Sequence, residues 1–168
     1  MIFVTVGTHE QQFDRLLKKV DQLVGSGVIQ EKVIMQTGFS TYQPKYCKFS
    51  KMVSFDEMNS YISRAHIVIT HGGPSSFIEV LQHGKIPIVV PRLKKYEEHI
   101  NNHQEDFVRL IQKKKNNIIP VYNINDLEDA IKNYDGMDLK SKIKSNNENF
   151  NRSFSKIVDE LFENKSKR

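Results

Sequence analysis

The chain has 168 residues, enough for one domain with a sizeable hydrophobic core. Hydrophobic residues make up 38% and charged residues 27%, a composition typical of a folded protein rather than a disordered one. The formal net charge of +5 favours anionic partners such as phosphorylated substrates. No zinc-knuckle, RNA-binding aromatic or helix-turn-helix pattern accompanies it, so nucleic-acid binding is not expected.

Apolar runs rich in β-branched residues alternate with helical patterns, an order typical of βαβ units and a parallel sheet. Strands are predicted at residues 2–6, 32–36, 52–55, 65–70, 86–91 and 118–121, and helices at residues 13–23, 57–63, 75–83, 101–112, 125–132 and 139–162. Ser54 or Asp56 is expected to cap the second helix, and Gly84 to end the third. The pattern predicts a single Rossmann-like, doubly wound α/β domain over residues 1–135. Residues 136–168 should form a helix that packs on the domain or on a partner.

The start of the chain and its cysteine content favour the cytoplasm. The first residues lack the basic start and long apolar segment of a signal peptide, and no stretch approaches the roughly 18 to 20 apolar residues of a membrane span. The single cysteine, Cys47, excludes an internal disulfide. Basic residues cluster at 92–95, 113–115 and 165–168, where they form either solvated surface or contacts with an anionic partner.

The loop after the fourth predicted strand has the residues of a phosphate site. Gly72 and Gly73 let the backbone approach a ligand, and the following helix offers unpaired N–H groups and a partial positive charge. Ser75 and Ser76 can cap that helix, donate to phosphate oxygens, or do both. Glu79 is placed to accept from ribose hydroxyls, although a capping-box carboxylate would look the same.

A second glycine loop, Gly7-Thr8-His9, ends the first strand at the same edge of the predicted sheet. It is not a G-x-G-x-x-G loop and has no acidic residue at the distance that holds an adenosine ribose, which disfavours dinucleotide binding. The chain also lacks the G-x-x-x-x-G-K-[ST] loop of an ATPase. An unrelated flavodoxin-like module stays an alternative, but no acidic cluster follows the first strand as a receiver domain requires.

Three ordered motifs resemble the C-terminal domain of glycosyltransferase family 28. They are HGGPSSFIE at residues 71–79, GKIPIVVP at 84–91 and NHQ at 102–104, and VTVGT at residues 4–8 matches the first strand and loop of that domain. The resemblance covers about residues 2–131. It implies the GT-B architecture of two Rossmann-like domains, of which the C-terminal one binds a UDP-sugar donor and the N-terminal one binds the acceptor.

Carried over by position, the resemblance assigns the site residues. The diphosphate would meet Gly72, Gly73, Ser75 and Ser76, beside His71, which could equally be an ordinary buried histidine. Glu79 would bind the ribose, residues 52–55 with Met52, Val53 and Phe55 would frame the uracil, and His103 and Gln104 would touch the sugar unless they merely begin a surface helix. Gly7, Thr8 and His9 would lie near the phosphates or the acceptor, and His9 is the one local candidate for a general base.

The chain opens directly on the donor domain, which is similar to the split enzymes. These are the eukaryotic pair that adds the second GlcNAc to dolichol diphosphate GlcNAc and, as a closer match, bacterial capsule or exopolysaccharide pairs. The resemblance implies the donor-binding subunit of an inverting transferase that moves a sugar from a UDP-sugar to a lipid-diphosphate-linked saccharide. A membrane-associated acceptor-binding subunit would hold it at the inner face of the plasma membrane, and the unpartnered subunit could self-associate. No Asp-x-Asp triplet is present, so neither a metal nor another cofactor is expected. A non-catalytic enhancer or regulatory subunit with the same fold is the alternative.

Overall fold

A computed structural model of the protein describes residues 1–136. The helix predicted at residues 139–162 lies outside the described residues, as does nearly all of the segment 136–168. Within the part described, no helix is long and apolar enough to cross a membrane.

Six parallel strands form one sheet, and the strand order reverses at its centre. The order is β3-β2-β1-β4-β5-β6, so the first strand pairs with both the second and the fourth, with Ile2 opposite Val33 on one side and Ile67 on the other. Because all strands are parallel, their carboxyl ends meet at one edge, and the reversal opens a crevice between loops there. The strands are β1 (Ile2–Thr5), β2 (Val33–Gln36), β3 (Lys48–Ser50), β4 (Ile67–His71), β5 (Ile88–Val90) and β6 (Ile119–Pro120).

Helices cover both faces of the sheet, as alternation along the strands requires. Ile2 and Val4 of β1 face a core formed with α1 and α5, whereas Phe3 between them faces α2 and α3. A third cluster joins α3 and α4 to β5. The helices are α1 (Asp14–Gly25), α2 (Phe55–Arg64), α3 (Pro74–Gln82), α4 (His103–Lys115) and α5 (Leu127–Lys132), with 3-10 turns at Lys94–Tyr96, Ile124–Asp126 and Tyr134–Gly136.

Within residues 1–136, the third strand is the one element that the sequence places wrongly. It was expected at residues 52–55 but forms at Lys48–Ser50, and Phe55 is the first residue of α2. This strand lies at the sheet edge with all three residues exposed, so no buried apolar pattern marks it. The other five strands lie within two residues of their predicted ends.

Both predicted helix-end signals are confirmed. Ser54, rather than Asp56, caps α2: its hydroxyl oxygen accepts from the Glu57 N–H at 3.2 Å, while the Glu57 carboxylate accepts from the Ser54 N–H at 2.8 Å. Gly84 follows α3 with φ of +70°, the left-handed conformation in which glycine ends a helix.

A buried carboxylate fixes the segment between β2 and β3. Asp21 of α1 accepts from the hydroxyl of Tyr42 and from the backbone N–H groups of Lys45, Tyr46 and Cys47, over 2.7 to 3.1 Å. Burial alone would raise the pKa of Asp21, but these hydrogen bonds outweigh it and lower the pKa. Burial and the nearby carboxylate raise the pKa of Cys47 to about 12, so this sulfur stays a thiol.

Candidate functional site

A cavity of about 460 Å³ opens between α2 and α3 at the carboxyl edge of the sheet. Five of the residues singled out from the sequence line it, namely Thr8, Val53, Phe55, Ser75 and Glu79. The remaining lining residues are Gln36, Ser54, Met58, Asn59, Ile78, Gln82 and His83. The cavity therefore brings together the loop after β1, the end of β2, the loop before α2 and the helices α2 and α3, with lining residues that extend from Thr8 to His83.

Apolar side chains stand exposed at the mouth of this cavity. Phe55 is 75% exposed and Ile78 is 42% exposed, although both are large enough to be expected in a core. Met52 is 40% exposed, and its sulfur lies 3.8 Å from the side-chain amide nitrogen of Gln36, which lines the cavity. Exposed apolar groups around a concave surface are typical of a ligand site and suit a planar ring.

The amino end of α3 points its free N–H groups into the same region. Gly73 is the cap residue, Pro74 takes the first helical position, and no side chain caps the helix. Of the roles left open for Ser75 and Ser76, capping is therefore excluded, because both serines lie inside the first turn. Glu79 lies beyond the third helical position, which is Ser76, so the capping-box alternative for Glu79 is excluded as well. The first-turn N–H groups are left for solvent or an anion.

His71 organises this loop through both of its ring nitrogens. Its Nδ1 accepts from the N–H of Gly73 at 3.0 Å, and its Nε2 lies 2.9 Å from the Ser76 hydroxyl oxygen. Because Nδ1 accepts, the proton of the neutral ring is on Nε2 and is donated to Ser76. Burial and the charge of Arg92 lower the pKa of His71 to about 4, so the ring stays neutral near pH 7. The hydroxyl proton of Ser76 is then free to donate to a ligand.

The imidazole of His71 also explains two of the glycines. A Cβ on Gly73 would lie 2.2 Å from the ring carbon Cε1, and a Cβ on Gly7 would lie 2.5 Å from Nε2. Gly7 has in addition a φ of +73°. The sequence attributes these glycines to the approach of a ligand, whereas the structure shows that the histidine ring already requires them.

Gln104 joins the glycine loop to the end of β5. Its side-chain oxygen accepts from the N–H groups of Gly72 and Arg92, each at 3.1 Å, and the residue is only 4% exposed. A Cβ on Gly72 would lie 3.0 Å from the Cβ of Gln104, so the packing is close here too. Its amide oxygen is thus committed to the backbone. The neighbouring His103 begins α4 and is exposed.

Two arginines and one glutamate form a buried network that the sequence does not reveal. Arg92 begins a basic cluster for which the sequence leaves open solvated surface or contact with an anionic partner, and it does neither. It is fully buried and donates to the backbone oxygens of Val6, Gln11, Gln12 and Glu98. Burial lowers the pKa of Arg92 to about 10, which leaves it charged at neutral pH. The Glu98 carboxylate, also fully buried, accepts from Arg15 and from the Leu93 N–H. The network ties the loop after β1 to the loop after β5.

The general-base candidate His9 lies half-buried on the first of these loops. Its ring packs against that of His99, with 4.7 Å between the centroids, and not against His71 or Glu79. Within residues 1–136, no group of three His, Cys, Asp or Glu side chains has the arrangement of a metal site.

Comparison with solved structures gives the fold an independent reference. The glycotransferase of kitacinnamycin matches with a TM-score of 0.60 and 13% identity, over 84% of this chain and 36% of that chain. The glycosyltransferase SnogD from Streptomyces nogalater matches with a TM-score of 0.49 and 14% identity, over 71% of this chain and 30% of that chain. The chain thus spans about a third of the length of these proteins. No curated protein matches it.

The six-stranded parallel sheet with helices on both faces is the Rossmann-like fold of GT-B glycosyltransferase C-terminal domains. The model of the glycosyltransferase family 28 C-terminal domain matches residues 1–161, nearly the whole chain. The chain therefore belongs to the glycosyltransferase family 28 C-terminal domain family.

Proposed function

We propose that the chain is the donor-binding subunit of an inverting glycosyltransferase that transfers a sugar from a UDP-sugar to a lipid-diphosphate-linked saccharide in capsule or exopolysaccharide synthesis. The observation that carries this proposal is the cavity between α2 and α3, which runs up to the uncapped amino end of α3 with Glu79 on its wall. A nucleoside diphosphate needs these three features side by side.

Each part of UDP has a matching surface. The uracil fits against Phe55, Ile78 and the backbone near Val53, where apolar groups are exposed. The Glu79 carboxylate accepts from the ribose hydroxyls; among the described residues it takes part in none of the ion pairs. The diphosphate meets the first-turn N–H groups of α3 and the hydroxyl of Ser76, which His71 has turned into a donor.

The same groups act on the reaction. When the acceptor hydroxyl attacks the anomeric carbon, the bond to UDP breaks and negative charge grows on the leaving diphosphate. N–H groups, a hydroxyl and the helix dipole that are already in place stabilise this charge without reorganisation. We expect them to suffice without a metal. The acceptor proton must pass to a base, for which His9 is the candidate on this chain. To act as a base, His9 would have to give up the hydrogen bond that its Nδ1 accepts from the Gln11 N–H.

We place the acceptor site on a second domain, carried by a membrane-associated partner at the inner face of the plasma membrane. A GT-B reaction takes place between two domains, and the described residues form one. The purified chain should therefore bind donor but transfer sugar poorly, and membranes that contain the partner should restore transfer. Transfer to a lipid-diphosphate acceptor at full rate by the purified chain alone would contradict this division.

Calorimetric titration with UDP tests donor binding. Loss of a charged hydrogen bond costs about 1.5 to 3 kcal/mol, so Glu79→Ala should weaken UDP binding by about tenfold or more. Glu128→Ala is the matched control, because this glutamate lies on α5 and its one ion-pair partner among the described residues is Lys132. Absence of UDP binding by the wild-type protein would refute the proposal and favour a non-catalytic enhancer. Equal UDP affinities of the Glu79→Ala and Glu128→Ala variants would show that Glu79 does not contribute to UDP binding.

A further inference from the structure

Three histidine rings pack against one another at the carboxyl edge of the sheet, beside the glycine loop, one pair tilted and the other edge to face. We call this group the histidine stack. His9 comes from the loop after β1, His99 from the loop after β5, and His103 is the first residue of α4. The ring centroids of His9 and His99 are 4.7 Å apart, and those of His99 and His103 are 4.3 Å apart. His99 is in the middle and 8% exposed, whereas His103 is exposed.

The hydrogen bonds of the outer rings leave one nitrogen of each available. Nδ1 of His9 accepts from the N–H of Gln11 at 3.2 Å, so the ring carries its proton on Nε2. Nδ1 of His103 is bonded to the side-chain oxygen of Asn101 and must donate, which leaves its Nε2 free. Nδ1 of the central His99 is buried without a hydrogen-bond partner among the described residues. An unpaired buried polar atom costs about 1 to 3 kcal/mol. The stack therefore has unused hydrogen-bonding capacity.

The charges around this stack are unbalanced. Two guanidinium groups, those of Arg92 and Arg15, lie near the single carboxylate of Glu98. Among the described residues, Arg15 is the one that forms an ion pair with it. The guanidinium of Arg92 is bonded only to backbone oxygens in the described structure. The charged or titratable groups that act on His99 are His103, His9 and Arg92, all of them cations when charged. His71 also faces the histidine stack, since His9 and His99 contribute to lowering the pKa of His71. Burial first, and then His103, His9 and Arg92, lower the pKa of His99.

We propose that His9, His99 and His103 form a subsite for an anionic oxygen group, phosphate or carboxylate, and that its binding is accompanied by uptake of a proton. An anion supplies negative charge beside the buried guanidinium of Arg92, and it accepts hydrogen bonds from ring nitrogens that have no other partner among the described residues. The identity of the ligand rests on the proposed function: the diphosphate of the acceptor or an acidic group on the donor sugar would supply the anion.

Calorimetry separates the two sources. Inorganic pyrophosphate, titrated onto UDP-saturated protein, represents the acceptor diphosphate. UDP-glucuronate compared with UDP-galactose, each titrated onto UDP-free protein, represents an acidic donor sugar. One of these two probes should bind about tenfold more tightly at about pH 6 than at about pH 8, with net proton uptake, because the bound anion favours the protonated form of one imidazole. Pyrophosphate binding on top of UDP assigns the subsite to the acceptor, and a pH-dependent preference for UDP-glucuronate assigns it to the donor.

The double variant His9→Gln/His103→Gln should remove the pH-dependent binding, with folding checked by circular dichroism. His66→Gln is the control, since His66 pairs with Glu31 and Asp135 far from the stack. The inference is overturned if neither probe shows pH-dependent binding, or if the double variant keeps it. A failure of the proposed function would appear differently, as absence of UDP binding. Pyrophosphate titrated onto the UDP-free double variant and wild type would then still test the subsite.

Discussion

Replacing Gln104 by methionine should destabilise the protein, because two backbone N–H groups of other residues lose their hydrogen-bond acceptor. Methionine has a similar volume, so no large cavity forms, but it offers no strong acceptor to the N–H groups of Gly72 and Arg92. Both N–H groups lie in buried residues. At about 1 to 2 kcal/mol for each unsatisfied group, the free energy of unfolding should fall by about 2 to 4 kcal/mol.

Urea unfolding followed by circular dichroism measures this loss. With a slope of about 1 to 3 kcal/mol per molar urea, the midpoint should fall by about 1 to 2 M while the slope stays constant. Gln22→Met on the exposed side of α1 makes the same chemical change without buried partners and should cost less than about 0.5 kcal/mol. If Gln104→Met is no more destabilising than Gln22→Met, the hydrogen bonds of Gln104 to the backbone of Gly72 and Arg92 do not stabilise the fold.

Three further changes test separate contacts. Gly73→Ala should lower stability and UDP affinity by displacing the His71 ring. In urea unfolding, the double variant with His71→Ala should be no less stable than His71→Ala alone, since the clash is then absent. Asp21→Ala should cost about 3 to 5 kcal/mol in the same assay at neutral pH, because four donors lose their acceptor. Since the folded pKa of Asp21 is lowered, its contribution is present above the unfolded pKa of about 3.9 and is lost as pH falls through the folded pKa. Phe55→Ser should leave stability within about 0.5 kcal/mol, because the ring is exposed, but weaken UDP binding several-fold in calorimetry.

The sheet could be predicted from sequence because its central strands are buried on both faces. Residues 65–70 and 86–91 are nearly continuous apolar runs, and the glycines between them, at positions 72, 73 and 84, mark where the chain changes direction. The position of the 71–76 loop at the carboxyl edge follows from that order. The exposed edge strand Lys48–Ser50 has no such signal, and it was missed for that reason.

The interior of the site could not be predicted, because its partners are distant in sequence. Arg92 stands in a basic run, where a charged residue is normally exposed, and its acceptors lie some 80 residues earlier on the loop after β1. Gln104 holds Gly72 across 32 residues. The role of His71 depends on ring orientation, which no spacing specifies. The sequence shows which chemical groups are present and where they stand in the chain, whereas tertiary packing sets the geometry of their hydrogen bonds.

Titration of the ¹⁵N-labelled protein with UDP, followed through its backbone amide resonances, tests donor binding most directly. Saturable shifts should be largest for Gly73, Ser75 and Ser76 at the amino end of α3, with smaller shifts around Val53 and Glu79 on the cavity wall. Amides of α5, on the opposite face of the sheet, should not move. Shifts centred away from the α3 end, or none at all, would contradict the assignment of this cavity as the UDP-sugar site.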